Sequence, residues 1–500
     1  MLQSPRFSVG KPIWPVGMER EQNLDVGFTA TLNVSDVDSV TLRIAAASLY
    51  RVFVNGFFRC HGPSRTAPGF FRVDQWRLDA QIRPGHNVVA VEVVGYNLDS
   101  SYVPSNPSFL QAEMVCDGRV LAATGHADHG FDAFPLGQRV RRIQRYNNQR
   151  TFMEAYRLAP GYDAWRVDPA APPEPAPVGV CGDKRLIATR TPQPTFDLSA
   201  PTWHVAAGRW RTGLTPDHPR RVPPPEEQSR YDVLPTLELQ TITPASRTSL
   251  DQPIDGPLRI DLPADTWHIL DFGRNITGFI GATVTCAHPT RFYLTFDEIL
   301  IDGEVRFLRN RSDVVRYELA AGRYQLETFE PYGLRYLQLV ALDGGCTVED
   351  VYLRRLENPV AVEGAGVGGA QFACSDQGLN RIFDAGRATF AQNAVDLLMD
   401  CPSRERAGWL CDSFFSGRAE PDLTGRCDVE AAFLENFTLP DSVPNLPPGM
   451  VPMCYPADFS AERCTIGMFI PNWAMWFVLE LEEYLHRSGD RTIVDALRPK

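Results

Sequence analysis

The stretch Asp400-Cys401-Pro402-Ser403-Arg404-Glu405-Arg406-Ala407-Gly408-Trp409-Leu410-Cys411-Asp412 decides how the rest of the chain is read. It sets two aspartates and one glutamate within 13 residues, with arginines and a tryptophan between them. Pro402 disfavours the α region for the residue before it, so a helix ends there. Pro402 and Gly408 then frame a loop that can aim side chains into a cleft. Glycosidic bond cleavage uses such parts. One carboxyl group protonates the departing oxygen, and a second carboxylate acts on water or on the anomeric carbon. A solvated, charged interhelical loop is the other reading of the same residues.

Outward from this loop the sequence is helical. Ser375 is placed to cap a helix carrying Leu379, Ile382, Phe383 and Phe390 at three- to four-residue intervals. A second helix is expected over about 389–399, and a third from about Gly408 towards Glu420. A fourth is expected over Pro471 to Arg487, with proline in its first turn and Gly489 as its stop. Trp473, Trp476, Phe477, Leu481, Tyr484 and Leu485 form its apolar face.

Upstream, residues 40–116 read as short strands. Val52 and Val54 precede Asn55-Gly56, a dipeptide suited to a type I′ hairpin turn. Residues 236–358 read as strands again, with alternation at Leu237, Leu239 and Thr241 and at Phe292, Leu294 and Phe296. Proline-rich runs at 169–177 and at Pro223–Glu227 lie between the two sets, and the first boundary is drawn near the second run. The expected fold class is multidomain: two N-terminal β-sandwich domains, jelly-roll-like, over 1–235 and 236–360, then a helical domain over 361–500.

Eight positions of the opening stretch, Asp400, Cys401, Pro402, Arg404, Glu405, Gly408, Trp409 and Asp412, resemble the signature of glycoside hydrolase family 78, the α-L-rhamnosidases. The sandwich, sandwich and helix order is similar to that family's arrangement. Asp271-Phe272-Gly273-Arg274-Asn275 and Gly333-Leu334-Arg335-Tyr336 resemble recurring segments of its β domain. The resemblance implies that residues 361–500 begin an (α/α)6 barrel. It implies Glu405 as general acid, Asp400 and Asp412 as carboxylates that hold sugar hydroxyls, Trp409 as an aromatic wall and Arg404 as an orienting cation. The implied activity is that of an inverting exo-glycosidase acting on terminal α-L-rhamnosides. A glycosidase for another sugar and a carbohydrate-binding protein without turnover are the alternatives. Two departures stand out. Cys411 occupies a place where many relatives carry glycine. The family's general base is a glutamate far beyond the acid, so it is expected beyond residue 500, in a longer polypeptide.

Composition bounds the partners. A net charge of -12 and a pI near 5.3 argue against nucleic acid and against an anionic membrane surface. There is no apolar run long enough to span a bilayer, and Met1 to Glu21 lacks a basic segment followed by an apolar one. With 11 cysteines and no Cys-x-x-Cys pair, reduced thiols and a cytoplasmic location are expected. A carbohydrate is the expected partner, a homodimer is compatible with broad sandwich faces, and no cofactor or metal is implied. Cys411, Cys427, Cys454 and Cys464 lack zinc spacing, and Cys401 has no adjacent base to make it a nucleophile. Tyr455 and Asp458 either line the cleft or belong to an ordinary loop. Trp473 and Trp476 fit core packing better than a sugar platform, as do Phe70, Phe71 and Trp76. Asp297-Glu298 reads as a strand-end charge pair.

Overall fold

The computed structural model describes residues 7–35, 40–171, 174–213, 228–308, 311–363, 370–443, 446, 450–457 and 469–498. Pro172, Pro173, the run Pro223–Glu227, Asp458 and Cys464 lie outside the described residues. The N-terminal region is mostly β-sheet and the C-terminal part is helical.

Two sheets make the first β unit. One has five strands in the order Asp132–Pro135, Leu24–Val34, Gly85–Gly95, Leu49–Val54 and Phe57–Gly62. The other has seven and is centred on Phe109–Cys116, Thr41–Ala47 and Phe70–Arg77. Side chains alternate across a strand, so every second residue can turn inward. Val26, Phe28 and Ala30, with Val89, Val91 and Val93, meet Leu42, Ile44, Leu110 and Ala112 of the other sheet in one buried cluster. The hairpin turn forms as its sequence predicts, with φ of 51° at Asn55 and 83° at Gly56. Trp76 is core, its indole N–H donating to the Tyr50 hydroxyl at 2.9 Å.

The second β unit is an 11-stranded sheet whose spine is the strand Thr266–Cys286. Its register shifts between Asp271 and Ile276, where Gly273 takes a φ of 80°. The shift leaves the Asp271 carboxylate facing Arg335, which holds it through two hydrogen bonds of 2.8 Å. The two recurring β-domain segments named above are thus one paired feature. Asp297 and Glu298 share Arg311, at 3.6 and 3.4 Å, as a strand-end charge cluster.

A single boundary near residue 235 does not describe these sheets. Glu154–Leu158, Leu198–Ser199 and Trp203–Thr212 pair within the second unit, whereas Val178–Val180 and Arg185–Ala188 return to the first. The chain therefore crosses between the units repeatedly before residue 213, and composition does not register a crossover. Leu237, Leu239 and Thr241 do not form a strand. Pro235–Gln240 is a short helix with proline in its first turn, and only Leu239 of the three is buried.

Helices occupy Gln377–Asn393, Leu410–Thr424, Asp428–Thr438, Pro471–Ser488 and Arg491–Leu497. The first is capped by Asp376 instead of Ser375, its carboxylate accepting the N–H groups of Gly378 and Leu379. It runs unbroken past residue 389, so no separate helix covers 389–399, and Ala394 instead bridges to Leu398. Phe390 of its apolar stripe is buried, but Leu379 and Ile382 are exposed, as are Phe415, Met475 and Val478 on neighbouring helices. Among the described residues no helix is long and apolar enough to cross a membrane.

Candidate active site

The segment 400–409 folds as a closed loop on the N-terminal end of Leu410–Thr424. The Asp400 N–H donates to the Ala407 carbonyl at 3.0 Å, and the Ala407 N–H returns a bond to the Asp400 carboxylate at 3.1 Å. Arg406 takes a φ of 53°, a left-handed conformation that reverses the chain at the end of the loop. Gly408 is required by close packing. A Cβ there would collide with the Tyr455 carbonyl oxygen and stand 2.8 Å from the Phe433 ring. The loop is tied to residues 453–455 by two backbone hydrogen bonds. Leu410 N–H donates to Met453 O and Tyr455 N–H donates to Gly408 O, which makes Trp409 and Cys454 bridge partners.

Glu405 is buried, and both of its carboxylate oxygens accept hydrogen bonds. The Trp409 indole N–H donates to one at 2.6 Å, and the half-exposed Arg404 guanidinium donates to the other. Burial pushes the Asp400 carboxyl up to about 6, against hydrogen bonds from Cys401 and Ala407 that lower it, and the charge of Glu405 adds to the rise. Asp412 sits exposed on the first turn of the following helix. Its carboxyl is also raised, by partial loss of solvent and then by the charge of Glu405. Asp400, Arg404, Glu405, Trp409 and Asp412 are therefore all brought within one another's contact or field. Carboxyl groups, a cation and an indole N–H in one loop can together hold hydroxyl groups.

Sequence reasoning missed what holds this loop. Three of its carbonyl oxygens accept from side chains of the β region. Arg150 donates to Ser403 O at 2.9 Å, Asn147 donates to Arg404 O at 2.8 Å, and Arg65 donates to Arg406 O. Arg65 is itself fixed by Asp396 at 2.6 Å, and Arg150 pairs with Glu330 at 3.3 Å. The Tyr102 ring lies under the guanidinium groups of Arg65, Arg150 and Arg406. Gly333 lets the second β unit approach, since a Cβ on it would lie 3.0 Å from the Ser403 Cβ. No spacing rule links residues 65, 147 and 150 to residue 405. Trp473 was read as core, and it packs in the small cluster of Ala407, Met453, Cys454 and Trp409. Trp476 stacks on Phe414 and Phe415 instead.

Comparison with known proteins follows the same outline. The family model for the bacterial α-L-rhamnosidase six-hairpin glycosidase domain matches residues 368–497. The solved structure of the family 78 rhamnosidase of Bacillus sp. GL1 superposes with a TM-score of 0.74 at 18% identity, over 99% of this chain and 68% of that one. The α-L-rhamnosidase of Aspergillus terreus gives 0.62 at 15% identity, over 98% and 51%. That of Streptomyces avermitilis, solved with L-rhamnose, gives 0.59 at 16% identity, over 96% and 41%. The chain thus spans about two thirds of the first, about half of the second and about two fifths of the third. No curated protein matches it. Across the whole chain the likeness is one of fold. Within that fold, residues 368–497 carry the likeness to the bacterial α-L-rhamnosidase six-hairpin glycosidase domain.

Proposed function

We propose that this protein is an inverting exo-glycosidase that removes terminal α-L-rhamnose, with Glu405 as the general acid. The observation that carries this reading is the buried Glu405 carboxyl group, oriented by the Trp409 indole N–H and the Arg404 guanidinium in the family's signature loop. In it, Glu405 gives its proton to the glycosidic oxygen. Asp400 and Asp412 hold the sugar hydroxyls, and the Trp409 ring covers the apolar face of the sugar. Inversion also takes a general base, a second carboxylate about 6.5–9.5 Å from the acid so that a water fits between them. The described helices from Gln377 onward belong to an (α/α)6 barrel, and the exposed Leu379, Ile382, Phe415, Met475 and Val478 are where other barrel helices pack. The two β units are jelly-roll-like sandwiches, and a rhamnosylated glycan or glycoside is the substrate.

The test is a panel of aryl glycosides offered to the complete polypeptide. Release from the α-L-rhamnoside is expected, and release from a different glycoside alone would replace the sugar in this reading. Glu405→Gln is expected to lower kcat by roughly 10³-fold while the Kd for rhamnose changes only a few-fold. Near-normal turnover in that variant would remove Glu405 as the acid.

A further inference from the structure

We propose that Cys286 and Cys346 are a redox modification site, closing reversibly into a disulfide that ties the end of Thr266–Cys286 to the start of Cys346–Arg355. The two are direct register partners in an antiparallel ladder, and both are free thiols. Directly opposed residues in such a ladder have Cα atoms roughly 4.5–5.5 Å apart, within the span a disulfide bridges. No other two cysteines are register partners among the described residues.

The local chemistry separates two roles. The neighbouring Cys346 thiol, with the Thr290 hydroxyl adding to it, favours the Cys286 thiolate and lowers it to about 7 despite burial. The same contact raises Cys346, which keeps its proton. Cys286 is then the attacking sulfur and Cys346 the resolving one. The pair is buried, but it sits at strand ends, next to the exposed residues Ala287, His288 and Pro289. A reagent therefore needs only local fraying of that turn to reach it.

The oxidant is a low-molecular-weight disulfide. The Cys286 thiolate attacks one of its sulfurs, forming a mixed disulfide and releasing one thiolate. Cys346 loses its proton and attacks the Cys286 sulfur, releasing the second thiolate. Two protein thiols become one disulfide, and one small disulfide becomes two thiols.

The experiment equilibrates the native chain in glutathione buffers of increasing oxidised fraction, quenches with acid, alkylates and maps the peptides. The expected result is a cross-linked peptide pair joining Cys286 to Cys346, about 2 Da lighter than the two reduced peptides together and abolished by dithiothreitol. The oxidised wild type should also melt several degrees higher, because the link closes a long loop in the unfolded chain. Cys346→Ser should lose that rise and retain glutathione on Cys286. Free alkylation of both cysteines at the most oxidising poise would overturn the proposal. So would a link to any other cysteine, or glutathione that persists on wild-type Cys286. Peptide mapping of the wild type decides the matter even if the variant fails to fold.

Discussion

The β region and the helical interior both bury carboxylates, and only some of those in the β region are held ionised, since burial raises Asp25, Asp74 and Asp313 there as well. On the β side, burial alone would raise Glu92, but Arg51 and Arg166 at 2.7 and 3.1 Å bring it down to about 2. Asp396, where the helical part meets the β region, is likewise held at about 2, with Arg65 overcoming burial. Inside the helices burial wins. Glu420 is raised to about 8, even though it accepts the N–H groups of Val429 and Glu430 at the start of Asp428–Thr438. Glu430 is raised to about 7 despite Arg487 at 2.5 Å. Glu480, fully buried with the Ser413 hydroxyl as a donor at 2.6 Å, is raised well above the usual carboxylate range. Arg51 with Arg166, and Arg65, make Glu92 and Asp396 stable when ionised. Glu420, Glu430 and Glu480 are stable when protonated.

The largest effect expected from this contrast is Arg150→Met. It leaves Glu330 buried and without its guanidinium and frees the Ser403 carbonyl. A loss of about 3–5 kcal/mol in denaturant unfolding is expected, and a loss under 1 kcal/mol would show the clamp to be incidental. Next is pH. Glu420 and Glu430 have folded values near 8 and 7, above an unfolded value near 4.5. Their contribution is therefore complete below pH 4.5 and is lost as pH rises through 7 to 8. Asp396 and Glu92 lie below their unfolded values, so theirs is complete above about pH 4.5 and is lost as pH falls through about 2. Hydrogen exchange should show the helices Leu410–Thr424, Asp428–Thr438 and Pro471–Ser488 opening more readily at pH 8.5 than at pH 5.5. An unchanged response in those helices would remove the buried glutamates as its cause. Glu480→Gln sharpens the contrast by removing one ionisable group while keeping the shape. A gain of about 1–3 kcal/mol at alkaline pH and little change at pH 5 is expected. The smallest effect is Asn147→Ala, which removes one hydrogen bond to the Arg404 carbonyl. A loss of about 1–2 kcal/mol is expected, and in the complete enzyme kcat should fall more than KM rises.

What was legible in the sequence was what is local. Asp400 to Asp412 could be read as a loop because Pro402 and Gly408 constrain neighbouring backbone, and Asn55-Gly56 as a turn because both residues tolerate positive φ. The clamp was not legible. Arg65, Asn147 and Arg150 reach the loop from more than 250 positions away, and a hydrogen bond to a backbone carbonyl leaves no pattern in the partner's sequence. Leu237 and Leu239 misled because two leucines two apart fit a strand and also a single helical turn started by Pro235. The helix expected over 389–399 failed because Gln377–Asn393 already uses residues 389–393, and a bridge from Ala394 to Leu398 takes up the remainder.

The repeated crossing of the chain between its β units bears on how such a protein can be inherited. Strands at 154–158 belong to one sheet, strands at 178–180 and 185–188 to another, and strands at 198–199 and 203–212 to the first of these again. A genetic crossover at any single codon between 136 and 197 therefore strands at least one segment with the wrong parent. The two β units cannot be traded as separate cassettes, and recombination must pass them on as a single heritable block.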